Sequence, residues 1–212
     1  MKKFLLLFAC ASVLIGAAGV KASDQTSDRA TVIEFFDKVA KNPVEFAYFV
    51  TFKADGTVSA SDGNVILDGR RFRTSGDGIE SVCDGSTIWM MDSEAREMII
   101  ETMSEGENDV NPTLMIAAVG EMNISALYNT IYQGKSALRV HLNFEGNDQF
   151  SNIIVYISDD KLLGAEMETI DGISIVFDIP SFRFLSIEEA NTVQFSIDEK
   201  KMDSSWVITD LR

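Results

Sequence analysis

Histidine occurs once in these 212 residues, cysteine twice and proline three times. Each scarcity closes off a class of chemistry or architecture. The lone histidine, His141, lies in an alternating run where its parity assigns it to the solvated face of a strand, and no serine or cysteine nucleophile is placed beside it. No pair of cysteines or histidines has metal-ligand spacing. A phosphate loop is absent, as is a glycine fingerprint following a strand. The acidic stretch Glu101 to Asp109 lacks the ligand spacing of a calcium loop. These absences argue against an enzyme and imply no cofactor or metal. Positive charge is also scarce: 18 Lys and Arg stand against 33 Asp and Glu, a net −15. That balance argues against nucleic acid and anionic membrane surfaces, both of which demand basic patches.

Long apolar runs are scarce too, and the one present is at the start. Lys2 and Lys3 precede the apolar run Phe4 to Val20, and Val20-Lys21-Ala22 ends it with the small residues of a cleavage site. Residues 1–22 therefore read as a signal peptide, with maturation at Ser23 and an exported, periplasmic product. Leu7-Phe8-Ala9-Cys10 only faintly resembles a lipoprotein box: it comes too early in the apolar run, and Phe8 is bulky for the role. Removing Lys2, Lys3 and Lys21 leaves 15 basic against 33 acidic residues, a net −18. Cys83 is then the only cysteine, so no intrachain disulfide is possible and burial alone must hold the domain together. Its place in a strand run just before a turn suits core filling better than nucleophilic chemistry. Residues 23–212, about 190 in number, suffice for one β-rich domain with a substantial core.

What is present is alternation. Ser27 or Asp28 caps a predicted helix to about Lys41, with Val32, Phe35, Phe36 and Val39 on one face and Asn42-Pro43 ending it. Over Val44 to Lys53, Phe46, Tyr48, Val50 and Phe52 share one side. Asp55-Gly56 turns the chain into a run to Asp68, where Val58 and Ala60 take one parity and Val65 and Leu67 the other; Asp62-Gly63 between them suggests a bulge. Asp84-Gly85 marks another hairpin, since a two-residue turn there needs positive φ. Leu138, Val140, Leu142 and Phe144 face inward in the cleanest alternation. Further strand-like runs are 152–158, 162–169, 172–178, 182–185, 193–197 and 206–209. The pattern predicts a mainly β fold, a single curved antiparallel sheet of about eleven strands wrapped as an incomplete barrel.

One stretch fits neither turn nor strand. Asn111-Pro112 begins an almost wholly apolar segment containing Leu114, Met115 and Ile116, and Pro112 suits the first turn of a helix. Thr113 to Val119 carries no charge, so the helix must bury itself, either as a core plug or as a lid over the face formed by Phe46, Tyr48, Val50, Phe52, Val65, Leu67 and Phe72. A sheet this wide is covered only in part by two helices. The inside is either filled by side chains or left as a cavity for an apolar guest.

The order Val82-x-Asp84-Gly85-x-x-x-Trp89-x-x-Asp92, followed by the Asn-Pro helix, resembles the outer-membrane lipoprotein carrier (LolA) family. The likeness extends upstream to Gly63-Asn-Val-Ile-Leu-Asp-Gly-Arg-Arg-Phe-Arg73 and downstream to Thr209-Asp-Leu-Arg212. It implies a periplasmic chaperone that moves lipoproteins from the inner to the outer membrane by sheltering their acyl chains. The partners it implies are the lipoproteins, an inner-membrane ABC transporter that releases them and an outer-membrane receptor, with the carrier itself a monomer. By the same resemblance the N-terminal helix, through Val32 and Phe36, closes one side of the lipid cavity. The helix of Leu114, Met115 and Ile116 becomes its lid. The family's lid-holding arginine precedes a proline; aligning on Phe72-Arg73 puts Asp68 there and the proline is missing, so a shift of one or two residues makes Arg70 or Arg71 the latch. A different class of function shares the half-barrel, namely a periplasmic sensor or regulator that binds lipid or peptide. N-terminal sequencing of the exported protein is expected to read from Ser23; retention of the first residues, or a lipidated Cys10, would overturn the assignment of the leader.

Overall fold

Asp55-Gly56 and Asp159-Asp160 illustrate how the chain is folded back on itself. Both pairs hold positive φ at the two central positions (49° and 76°, 46° and 58°). That geometry matches the right-handed twist of the flanking strands and makes tight hairpins. The computed structural model describes residues 25–103, 123–143 and 150–212. Helix α1, Gln25–Lys41, comes first. Strands follow at β1 Val44–Ala54, β2 Thr57–Asp68, β3 Arg71–Gly76, β4 Ile79–Cys83, β5 Thr87–Asp92 and β6 Glu97–Thr102. The second half contributes β7 Asn123–Tyr132, β8 Lys135–Asn143, β9 Phe150–Ser158, β10 Lys161–Thr169 and β11 Ser174–Phe184. A short helix α2, Ile187–Thr192, a 3-10 turn, Glu199–Lys201, and β12, Val207–Asp210, end the chain.

All twelve strands form one open sheet in the order β12-β6-β5-β4-β3-β2-β1-β11-β10-β9-β8-β7. The incomplete barrel expected from alternation is thus what the chain builds. β1 and β11 join its two meanders at the centre, with Phe46 opposite Phe182 and Val50 opposite Phe177. The inner face carries the main core. Val32, Phe35 and Val39 of α1 are buried against it, together with Val44, Phe46, Val65, Phe72, Val140 and Ile175. The helix is fixed at both ends. Arg29 Nη1 donates to the Ile124 carbonyl at 3.0 Å, and Lys38 Nζ pairs with Asp160 at 2.6 Å. Asn42 caps the end through the Lys38 carbonyl at 2.7 Å.

Several sequence expectations need correction. The strand count is close to the expected eleven, with twelve among the described residues. Runs 172–178 and 182–185 are one strand, β11, which passes through Pro180 by a bulge: Ala47 faces Ser181 but Phe49 faces Asp178. A bulge is where a strand tolerates a residue with no N–H. Residues 193–197 form no strand; Phe195 and Ile197 are instead packed as side chains. No bulge occurs at Asp62-Gly63 in the β1–β2 ladder, which runs unbroken from Val44↔Leu67 to Ala54↔Thr57. Gly63 is there for another reason: Tyr48 lies across it, and a Cβ would stand 2.7 Å from the Tyr48 hydroxyl.

Alternation also predicts an outer face that is mostly wet, yet two patches of it are covered. Val82, Trp89, Met91, Met98 and Ile100 are buried there beneath Ile197, Met202 and Trp206 of the C-terminal segment. Trp89 Nε1 donates to Glu199 at 2.9 Å. Having crossed that face, the chain returns as β12 parallel to β6, with Val207 beside Glu97. The second patch packs Ala137, Ile154, Tyr156 and Leu163 under Tyr132. Tyr132 stacks on Tyr156 at 3.9 Å and lies over Gly164, where a Cβ would meet the Phe177 carbonyl at 2.6 Å. Gly164→Ala is expected to lower stability by ~1–3 kcal/mol, the usual range for overpacking, because besides the Tyr132 hydroxyl the new Cβ would meet a backbone carbonyl that cannot swing away. Urea unfolding followed by tryptophan fluorescence measures it.

Candidate apolar binding face

Phe36, Tyr48 and Phe52 are half-buried, whereas Val32, Phe46, Val50, Val65, Leu67 and Phe72 are buried. All nine, each singled out from the sequence, meet in one contiguous apolar cluster on the inner face. The cause is periodicity. Phe46, Tyr48, Val50 and Phe52 share one parity of β1, Val65 and Leu67 face them from β2, and Phe72 faces Leu67 from β3. Val32 and Phe36, four apart on α1, come down from above.

Aromatic rings knit the centre together. Phe35 stands 5.8 Å from Phe182, Phe46 lies 6.3 Å from Phe182, and Tyr48 meets Phe177 edge-on at 6.0 Å. Lys38 Nζ sits 4.5 Å above the Phe184 ring, so the helix's cation is itself part of the aromatic edge. Phe182 and Phe177 were missed as inner-face residues by sequence reasoning, since Pro180 breaks the alternation between them. Burial raises the Tyr48 pKa, with a further contribution from Asp77 and Asp62, so its hydroxyl is neutral. The half-buried residues Ile88, Met103, Ile124 and Phe150 extend the cluster. Ile79 and Ile99 stay exposed at 49% and 39% on the inner side of β4 and β6, beyond the reach of α1.

The remaining singled-out residues are distributed as follows. Leu114, Met115 and Ile116 lie outside the described residues. Arg70 sits in the turn between β2 and β3. Arg71 leaves on the side opposite Phe72, pairs with Asp68 and rests 4.9 Å over the Phe195 ring. Cys83 is fully buried; its thiol donates to Met103 Sδ at 3.7 Å and accepts from the Gly85 N–H at 3.3 Å. Burial pushes its pKa up, which keeps it a thiol. Trp89, quoted as part of a family-like motif, faces outward and anchors the C-terminal segment. Among the described residues, no group of three or more His, Cys, Asp and Glu is arranged to hold a metal, and no helix is long and apolar enough to cross a membrane.

No protein-family model matches the chain, and no curated protein does. Solved structures do. An uncharacterized conserved protein from Thermus thermophilus is similar at 11% identity with a TM-score of 0.53, covering 86% of this chain and 99% of that one. The likeness is one of fold. A LolA superfamily protein from Nitrosomonas europaea is also similar, at 11% identity and a TM-score of 0.40, over 78% of this chain and 97% of that one. So is MucB, at 10% identity and a TM-score of 0.37, over 79% of this chain and 62% of that one.

His141 is on the outer face, its ring edge-on to Tyr128 at 5.8 Å. Ser125 Oγ donates to its backbone carbonyl at 3.2 Å and not to the imidazole, and Nε2 has no partner among the described residues. Burial, and then the nearby Arg139 charge, lower its pKa. A lowered folded-state pKa means that the contribution is present above the unfolded value and is lost as pH falls through the folded one. Stability should therefore decline on acidification below about pH 6.5, the ordinary histidine value, and His141→Gln should remove that part of the decline. The single imidazole resonance in proton NMR, followed with thermal melts at each pH, checks both.

Proposed function

We propose that this chain is a periplasmic carrier that shelters the acyl chains of lipoproteins on their way from the inner to the outer membrane. The observation that carries the reading is the inner face itself: nine residues of helical and strand parity gathered in one apolar cluster, inside a sheet that does not close. An open barrel with α1 lying across its inner face can admit a guest by displacing that helix or a neighbouring segment, with the β ladders intact. The ordered motifs of the sequence support the same conclusion.

Physical chemistry sets what such a protein must do. Each methylene kept from water is worth about 0.8 kcal/mol, so an anchor of several acyl chains carries tens of kcal/mol of hydrophobic cost. Non-covalent affinity saturates near −20 kcal/mol, so no cavity recovers all of it. Loading is then driven by a nucleotide-hydrolysing transporter and release by an outer-membrane receptor, and the carrier needs no catalytic residue. In this scheme residues 1–22 are the cleaved leader, the half-buried Phe36, Tyr48 and Phe52 are the residues a guest meets first, and Val32 lies beneath them. Leu114, Met115 and Ile116 serve as the lid, with Arg70 or Arg71 as its latch.

The test is to express the chain with its own leader in a Gram-negative host, purify it from the periplasm without detergent and examine it by native mass spectrometry. Wild type is expected to carry an acylated protein or lipid at about one to one. Phe52→Glu puts a charge at a half-buried site and is expected to reduce that load about tenfold with the circular dichroism unchanged. Absence of any acylated species, or an undiminished load in the variant, would overturn the reading.

A further inference from the structure

Between β10 and β11 the sheet comes apart. Their ladder runs from Glu168↔Ser174 to Gly164↔Asp178 and stops there, although β10 begins at Lys161 and β11 continues to Phe184. Each arm keeps its outer neighbour. Lys161 and Leu162 stay paired with Ser158 and Ile157 of β9, and Ser181 to Phe184 with Ala47 to Val44 of β1. An irregularity offsets each arm at the same level, at Leu163 on one side and at Ile179-Pro180 on the other. Pro180 has no N–H to offer across the gap. The apex is closed by Tyr132, whose hydroxyl donates to Asp178 at 2.8 Å, with Gln133 donating to the same oxygen at 2.6 Å.

The fork holds a cavity of about 470 Å³, within the ~300–1,000 Å³ common for small-molecule sites. Its apolar lining includes Phe46, Leu162, Ile179 and Phe182, all members of the inner-face core, so the fork reaches that core from one end of the barrel. Its charged lining is Lys135, Lys161 and Arg183 against Glu45, with Asn64 and Ser181 as neutral polar neighbours. Arg183 is committed to Glu45 and Glu189, each at 2.6 Å. Lys135 and Lys161 have no carboxylate partner among the described residues. In a chain of net charge −15, this is a local excess of positive charge beside a slot with one apolar side.

We propose that the fork between β10 and β11 is a binding site for a single-chain anionic amphiphile, its carboxylate or phosphate head held by Lys135 and Lys161 and its hydrocarbon chain between the two arms. A neutral amphiphile would gain nothing from the two exposed ammonium groups, and a bare anion would leave the apolar side wet. The site is separate from the lipoprotein reading, since Phe46 is the one residue of that guest's nine that borders the fork.

Titration calorimetry of the purified full chain decides it, with laurate and dodecyl phosphate below their micellar concentrations, dodecyl maltoside as the neutral comparison and inorganic phosphate as the bare anion. Laurate and dodecyl phosphate are expected to bind one to one, and more weakly as salt is raised. In Lys135→Gln/Lys161→Gln the affinity should fall about tenfold, the size expected of two exposed charge contacts. Leu163→Trp, which narrows the slot and leaves the charges, should abolish binding; its circular dichroism is checked against wild type, and Leu163→Phe replaces it if folding suffers. Equal affinity for dodecyl maltoside, an unaltered double variant, or inorganic phosphate binding as tightly as laurate would each overturn the proposal. Phe52→Glu separates the two sites: it should spare laurate binding even where lipoprotein load is lost, and the lysine variant should do the reverse.

Discussion

Everything in this protein follows from the need to cover one side of an open sheet. Twelve strands laid edge to edge present an inner surface of phenylalanine, valine and isoleucine that water would make prohibitively unfavourable. A closed barrel would solve this by filling itself. Here α1 solves part of it by lying across the face with Val32, Phe35 and Val39 pressed inward. The ends of that helix are tethered by polar contacts, Arg29 to a backbone carbonyl and Lys38 to Asp160. Both lie at the surface, where such contacts contribute about 1 kcal/mol or less. The cover is held mainly by its apolar stripe, and that kind of attachment can be exchanged for another apolar surface at little net cost.

The outer face shows the same constraint solved differently. Charge and alternation keep most of it in water, but Trp89 and Met98 on one flank and Ile154 and Tyr156 on the other are too large to leave exposed. The C-terminal segment is laid over the first and the β7–β8 turn curls over the second. Arg183 shows how such surface pieces are pinned: it bridges Glu45 on β1 and Glu189 of the α2 capping box, and holds the Glu189 carboxyl down at about 2.

The strands, their tight turns and the parity of the inner face were legible in the sequence because each depends on neighbours two or four residues apart. Phe46, Val50, Val65, Leu67 and Phe72 come together for that reason. What was illegible depends on pairings between distant residues. Nothing near Pro180 says that β11 continues past it; the bulge makes sense only with β1 alongside. Nothing near Val193–Ile197 says that Ile197 packs on the back of β4–β6 and that the segment forms no strand of its own. The fork between β10 and β11 belongs to the same category, since it exists only where two local irregularities happen to stand opposite one another. Gly63 misled for a related reason: its partner is the ring of Tyr48, one strand away.

The central seam has a consequence for how the chain is assembled. β1 is among the first strands made and its partner β11 among the last, with Phe46 waiting for Phe182 across most of the sequence. Until β11 arrives, the β1–β6 meander has a finished run of hairpins with its most apolar strand as a bare edge. Loop closure over that span makes the seam the slow step of folding. The interval before it forms is when the edge of β1 is open to pairing with another chain. Export in the unfolded state would place that interval outside the cytoplasm, so the helpers this protein needs while it folds would have to be found in the envelope.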